Sequence, residues 1–121
     1  MAEDIQFPQT DEAKIVQLYI DQNRVILRAG SNKRDHSQIL KSALEEFGLV
    51  SYPTVKIFGE QVPALAGDNY RVVGMGWCTR VGECFSFYGD SMSYEIGLDL
   101  EHLERCREAL PSGMELEVDK E

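Results

Sequence analysis

Three cysteines and two histidines are the residues of this 121-residue chain best able to do chemistry. Cys78, Cys84 and Cys106, with His102 one helical turn before Cys106, make up a Cys₃His set that zinc accepts. A cysteine nucleophile with His36 or His102 as its base is the second chemistry these residue types allow. Both meet the same objection. Cys78 and Cys84 fall within strand-like sequence near Glu83 and Glu95, where negative charge opposes the thiolate that a nucleophile or metal ligand needs. A last helix packed on the aromatic side of the strands would also leave Cys78 and Cys84 pointing away from Cys106. No metal, cofactor or catalytic residue is therefore assigned. Gly74-Met75-Gly76 lies inside a strand with no helix or Lys-Ser/Thr pair after it, so it is not a phosphate loop. Glycines on one strand face mark instead a bend or a close backbone approach.

The elements that would position these residues centre on residues 70–98, YRVVGMGWCTRVGECFSFYGDSMSYEIGL. They read as three consecutive antiparallel strands. A three-residue loop, Arg80-Val81-Gly82, sets Trp77 opposite Phe85 and Cys78 opposite Cys84. A two-residue turn at Gly89-Asp90 sets Phe87 opposite Met92 and Phe85 opposite Tyr94. Trp77, Phe85, Phe87, Met92, Tyr94 and Ile96 then share one apolar face, as a half-buried sheet requires.

Residues 11–29, DEAKIVQLYIDQNRVILRA, carry two patterns. Coiled as a helix, they place Lys14, Gln17, Asp21, Arg24 and Arg28 on one polar stripe, with Thr10 at the cap and Gly30 at the stop. Folded as a hairpin with its turn at 21–24, they set Val16, Leu18 and Ile20 against Ala29, Leu27 and Val25, which suits the β-branched content. Termination signals at both ends favour the helix. Residues 36–47 read as a second helix, with a capping box from Asp35 to Gln38 and a left-handed stop at Gly48. Lys33 and Arg34 between the helices join Arg24 and Arg28 in the one basic locality, either a solvated helix face or an anion-contacting surface.

TVKIF (54–58) predicts a strand that turns at Gly59-Glu60 into a partner ending at Pro63. The run SYPTVKIF resembles, over eight residues, the segment around the cis-proline of thioredoxin-like proteins. The family's redox pair of cysteines has no counterpart upstream, so the resemblance carries no family assignment and implies only a cis Pro53. Asp99 caps a last helix, LEHLERCREAL, with Leu103, Cys106 and Leu110 inward and Glu101, Glu104 and Glu108 outward. MELEV (114–118) alternates like a closing strand. The expected architecture is a single α+β domain, with N-terminal helices and a C-terminal helix packed on a mostly antiparallel meander. Fraying is expected over 1–9 and 119–121.

Composition narrows function more than any motif. Hydrophobic content of 43% and charged content of 27% are ordinary, but the net charge is −9. Such a chain does not suit general nucleic-acid binding, which neutralises phosphates with Lys and Arg. No apolar run approaches the roughly 20 residues of a membrane helix, and MAEDIQFPQT lacks the form of a signal peptide. The odd cysteine count disfavours a secreted disulfide framework, and the expected setting is cytoplasmic. Beyond residue 42, acidic side chains outnumber basic ones by more than two to one. The expected function is that of a non-enzymatic acidic protein binding a basic partner, an immunity- or antitoxin-like inhibitor being one form. Glu83, Glu95, Glu101, Glu104 and Glu108 are its candidate contacts, and a homo-oligomer is compatible with it. The alternative is a small-ligand-binding protein or enzyme with a pocket between the sheet and the N-terminal helices.

Overall fold

The computed structural model describes residues 3–9 and 11–119. Residues 11–29 form not a helix but the central hairpin of the sheet. β2 (Glu12–Ile20) runs antiparallel to β3 (Arg24–Ser31), with Asp21 and Gln22 at φ 53° and 78° in the connection. The register sets Leu18 opposite Ile26 and Ile20 opposite Arg24, one residue away from the hairpin alternative. The reason for the misleading pattern is burial on both faces. Ile15 and Tyr19 face one side, Val16, Leu18 and Ile20 the other. A strand covered on both sides is apolar at both parities, and such a run also satisfies helical spacing. Gln17 and Arg28, placed on the polar stripe of that helix, are 0% and 4% exposed. The expected Thr10 cap lies outside the described residues.

Around this hairpin the six-stranded sheet has the order β1-β3-β2-β6-β7-β10. β6 (Tyr70–Val81) pairs antiparallel with β2 and with β7 (Cys84–Tyr88). The two edges are parallel additions: β1 (Glu3–Ile5) beside β3, and β10 (Glu115–Val118) beside β7. The sheet is therefore mixed rather than a meander. Both edge strands are short and acid-bearing, which blunts them against pairing with other chains. Within residues 3–9, Gln6 N–H donates to Leu27 O (3.0 Å) and Phe7 stacks on Phe85 at 4.9 Å. Asp119 N–H likewise donates to Phe87 O. Residues 1–2 and 120–121 lie outside the described residues.

The expected meander register fails at both turns. Val81 pairs with Cys84 across a two-residue loop, Gly82-Glu83, with Gly82 at φ 62°. Trp77 therefore sits opposite Tyr88, and Cys78 opposite Phe87. Trp77 and Phe85 lie on opposite faces of the sheet. Beyond Gly89 (φ 77°) the chain leaves the sheet and rejoins it only at β10. β8 (Asp90–Ser91) pairs with β9 (Ile96–Gly97) in a small separate hairpin. Tyr94 is buried against the other core and Met92 is 84% exposed, so the single aromatic face does not exist. With helices on both faces, hydrophobicity no longer selects one register over its neighbour.

One helix seals each face. α1 (His36–Glu46) starts at Asp35, whose N–H donates to Gln38 Oε1 (2.9 Å), and stops at Gly48 (φ 78°). Both signals were legible. Its Ile39, Leu40 and Leu44 pack on Val16, Leu18, Ile20 and Ile26, each contributing about 1.5–3 kcal/mol by burial. α2 (Leu100–Arg107) is capped by Asp99, which accepts from His102 N–H at 2.8 Å, and packs Leu103 and Cys106 on Ile15, Leu27, Phe85 and Phe87. The α+β class follows. β4 (Thr54–Ile57) and β5 (Glu60–Pro63) form the expected ribbon, apart from the main sheet. Pro53, expected cis by resemblance, is trans. No helix among the described residues is long and apolar enough to cross a membrane.

Candidate functional site

The polar centre of the interior is Gln17, which its position in an alternating strand could have flagged. Its Oε1 accepts from Asp99 N–H (2.9 Å), and its Nε2 donates to Asp99 O (3.0 Å) and towards His102 Nδ1 (3.3 Å). His102 Nε2–H donates to Leu18 O at 3.1 Å, and Cys106 Sγ lies 3.5 Å from Nδ1. Gly74 makes room for this arrangement, because a Cβ there would fall 2.7 Å from Asp99 N and against Gln17 Oε1. The expected close backbone approach is real. Burial holds the His102 pKa below its ordinary value, and both ring nitrogens are engaged. It serves as a neutral structural link between α2 and β2 rather than as an available base.

His36 is equally committed. Its Nε2–H donates to Gly76 O (2.9 Å), its ring meets Trp77 edge-on at 6.4 Å, and burial lowers its pKa. The cysteines do not assemble. Cys78 points into the α2 side, contrary to expectation, where burial pushes its thiol up to about 12. Cys84 lies across from Val81 on the other face, its pKa raised by burial and by Glu117 and Glu115. None of the three forms a disulfide. Among the described residues no three His, Cys, Asp or Glu side chains are grouped to hold a metal ion.

Three of the four basic side chains, Arg24, Arg28 and Arg34, are engaged within the fold, while Lys33 is exposed on the loop. Arg28 is buried and bidentate to Glu46, with Nε–Oε1 at 2.9 Å and Nη2–Oε2 at 2.7 Å, and pairs with Asp4 at 3.1 Å. The Arg28 bond holds the Glu46 carboxyl below the usual range. Arg34 turns back onto α1, donating to Gln38 O and Ser42 Oγ.

The five candidate carboxylates are all exposed but do not form one cluster. Glu101 and Glu104 project outward from α2, and Glu108 is its C-cap. Glu104 is paired with Arg107 at 2.8 Å. Glu83 sits at the β6–β7 tip, its carbonyl accepting from Glu115 N–H. Glu95, expected opposite Cys84, instead occupies the β8–β9 turn at φ 56°.

Three concavities bear on ligand binding. The roomiest, about 630 Å³, is walled by Ile5, Phe7, Pro8, Ala13 and Ala109 and has no ionisable lining residue. A second, about 240 Å³, holds Arg71 and Arg105 over the Tyr19 ring at 4.8 and 5.4 Å, but Asp99 and Glu101 share it and balance their charge. A third, about 150 Å³, opens between α1, the β4–β5 tip and the β8–β9 turn. Neither histidine and no cysteine lines any of them. No protein-family model matches the sequence, and no curated protein does.

Proposed function

We propose that this chain is a non-enzymatic acidic protein that acts by binding a basic partner, an immunity- or antitoxin-like inhibitor being one concrete form. The observation that carries this is the division of labour in α2. Its inner side is tied to Gln17 through Asp99 and His102, while Glu101, Glu104 and Glu108 project outward from the same rigid element. A net charge of −9 extends that field over the surface, and such a field mainly steers encounter. Both histidines and Cys78 are engaged or buried inside the fold, which supports a binding role over one that uses them as bases or nucleophiles. The alternative pocket between α1 and the sheet has no support, because Ile39, Leu40 and Leu44 fill that space. Cysteines that form no disulfide suit a cytoplasmic setting.

The test uses the partner recovered from the native host and the variant Glu83→Lys/Glu108→Lys, whose carboxylates make no ion pair with a described residue. Association at low salt should slow severalfold, with the difference shrinking as salt rises. An association rate indifferent to salt and to charge reversal rejects the acidic-surface model.

A further inference from the structure

Phe58 is placed against every local preference. It occupies the first turn position between β4 and β5 at φ 51°, followed by Gly59 at φ 84°. Two consecutive positive φ values define a turn that favours Asn-Gly or Asp-Gly, and a bulky residue there is a genuine outlier. Its side chain gains no compensating burial, being 86% exposed. Backbone strain combined with an exposed aromatic ring points to a role outside folding.

The surroundings say what that role requires. Phe58 and Ile57 form one wall of the 150 Å³ cleft, and Ser93 and Tyr94 of the β8–β9 turn form another. Met92, beside Ser93, is 84% exposed. Glu95, on the same turn, is the second non-glycine residue of this cleft region held at positive φ. Two carboxylates, Asp35 and Glu60, line the cleft, and no lining residue is basic. The remaining ionisable lining group, Tyr94, donates its hydroxyl inward to Pro63 O at 2.8 Å. The volume matches roughly five water molecules, the scale of one side chain rather than of a cofactor.

We propose that this cleft is the docking point for a protein partner that inserts one lysine or arginine side chain between Asp35 and Glu60, with flanking apolar residues seated on Phe58 and Met92. The proposal rests on the acidic partner-binding function and gives it a surface distinct from α2. An exposed aromatic on the wall of a small acidic recess, with an exposed methionine next in sequence to the lining residue Ser93, offers an apolar anchor with a charge selector, the arrangement that concentrates binding energy in few residues. Opposite charge favours a basic partner, while the net charge of −9 opposes a second copy of this chain.

The experiment titrates the full chain with a synthetic peptide, acetyl-Gly-Leu-Lys-Leu-Gly-amide, and follows backbone amide resonances. Saturable shifts are expected at residues 57–61 and 93–95. The same peptide with Glu in place of Lys, or with Ser in place of both Leu, should bind about tenfold more weakly. Phe58→Asn supplies the residue the turn prefers, so it should keep or raise the thermal midpoint while losing the shifts. A fall in thermal midpoint would show Phe58 to be a packing residue and overturn the proposal. Shifts confined to α2 would overturn this surface and leave the acidic-partner function standing. Failure of the peptide to shift any resonance overturns the cleft, and the association-rate test of Glu83 and Glu108 decides the broader function separately. Self-association in sedimentation that disappears in Phe58→Asn would make the occupant a second copy and reject the basic partner.

Discussion

The two faces of the sheet are sealed by different physics. On the α1 side the middle of the contact is dry: Ile39, Leu40 and Leu44 meet Val16, Leu18 and Ile26, all 2% exposed or less, while the polar links, His36 to Gly76 O and Glu46 to Arg28, lie at the two ends of the helix. On the α2 side a polar node of Gln17, Asp99 and His102 sits inside the apolar contact. The lengths of the helices explain the contrast. α1 has eleven residues, a capping box and a glycine stop, so it can rely on packing. α2 has eight residues and no glycine stop, and although both helices are shorter than the length stable alone, α2 has the less packing surface to hold it. Hydrogen bonds from the central strand hold its first turn in place, and they also set the position of its outward carboxylates. Dry packing supplies stability, whereas the polar node supplies position. Among the described residues no buried side-chain nitrogen or oxygen lacks a partner, so the node is fully satisfied and its members depend on one another.

The largest effect expected from this contrast is on the dry face. Leu40→Ala removes a fully buried side chain and should cost about 3 kcal/mol by lost transfer energy and residual cavity. Urea denaturation measures it; a cost under about 1 kcal/mol would mean that α1 is not packed as described.

Gln17→Leu keeps the approximate shape but removes the side-chain partner of Asp99 N–H and Asp99 O and leaves His102 Nδ1 only the Cys106 thiol. It should cost about 2 kcal/mol, the penalty for leaving buried polar groups unmade. Its signature is local. In hydrogen exchange, α2 amides should lose protection before those of α1. Equal loss in both helices would break the proposed division between packing and positioning.

Each face also carries one buried neutral histidine, and here the expected effect is smallest. His36 and His102 have pKa values lowered by burial from 6.5. The unfolded chain therefore takes up protons that the folded chain refuses. The stability that depends on their neutrality is fully present above about pH 6.5 and is lost as pH falls through the folded values. The Arg28–Glu46 pair adds loss in a lower window, below the ordinary carboxyl value of 4.5. Chemical denaturation between pH 7 and 5 should show the decline, and His102→Gln should flatten it more than His36→Gln, since His102 is the more deeply buried. A pH-independent stability over that interval would show that neither ring is held neutral.

Local signals determined a definite part of this protein. The Asp35–Gln38 box, Gly48, the Asp99 cap, the ribbon around Gly59 and the strand at 115–118 were legible because each depends on residues adjacent in the chain. The outward glutamates of α2 were legible for the same reason, since helical periodicity orients side chains without reference to the rest of the fold. Tertiary structure alone decided the rest. Residues 12–31 satisfy helical and extended spacing alike, and only the cover supplied by a helix on each face makes a two-sided strand the better burial. The same two-sided cover left the pairing of Trp77, Cys78 and Cys84 open, because a shifted register exposes no more apolar surface when both faces are buried. Glu95 and Phe58 stayed invisible for another reason: their left-handed backbone contradicts residue preference, so no reading of residue types would place them there.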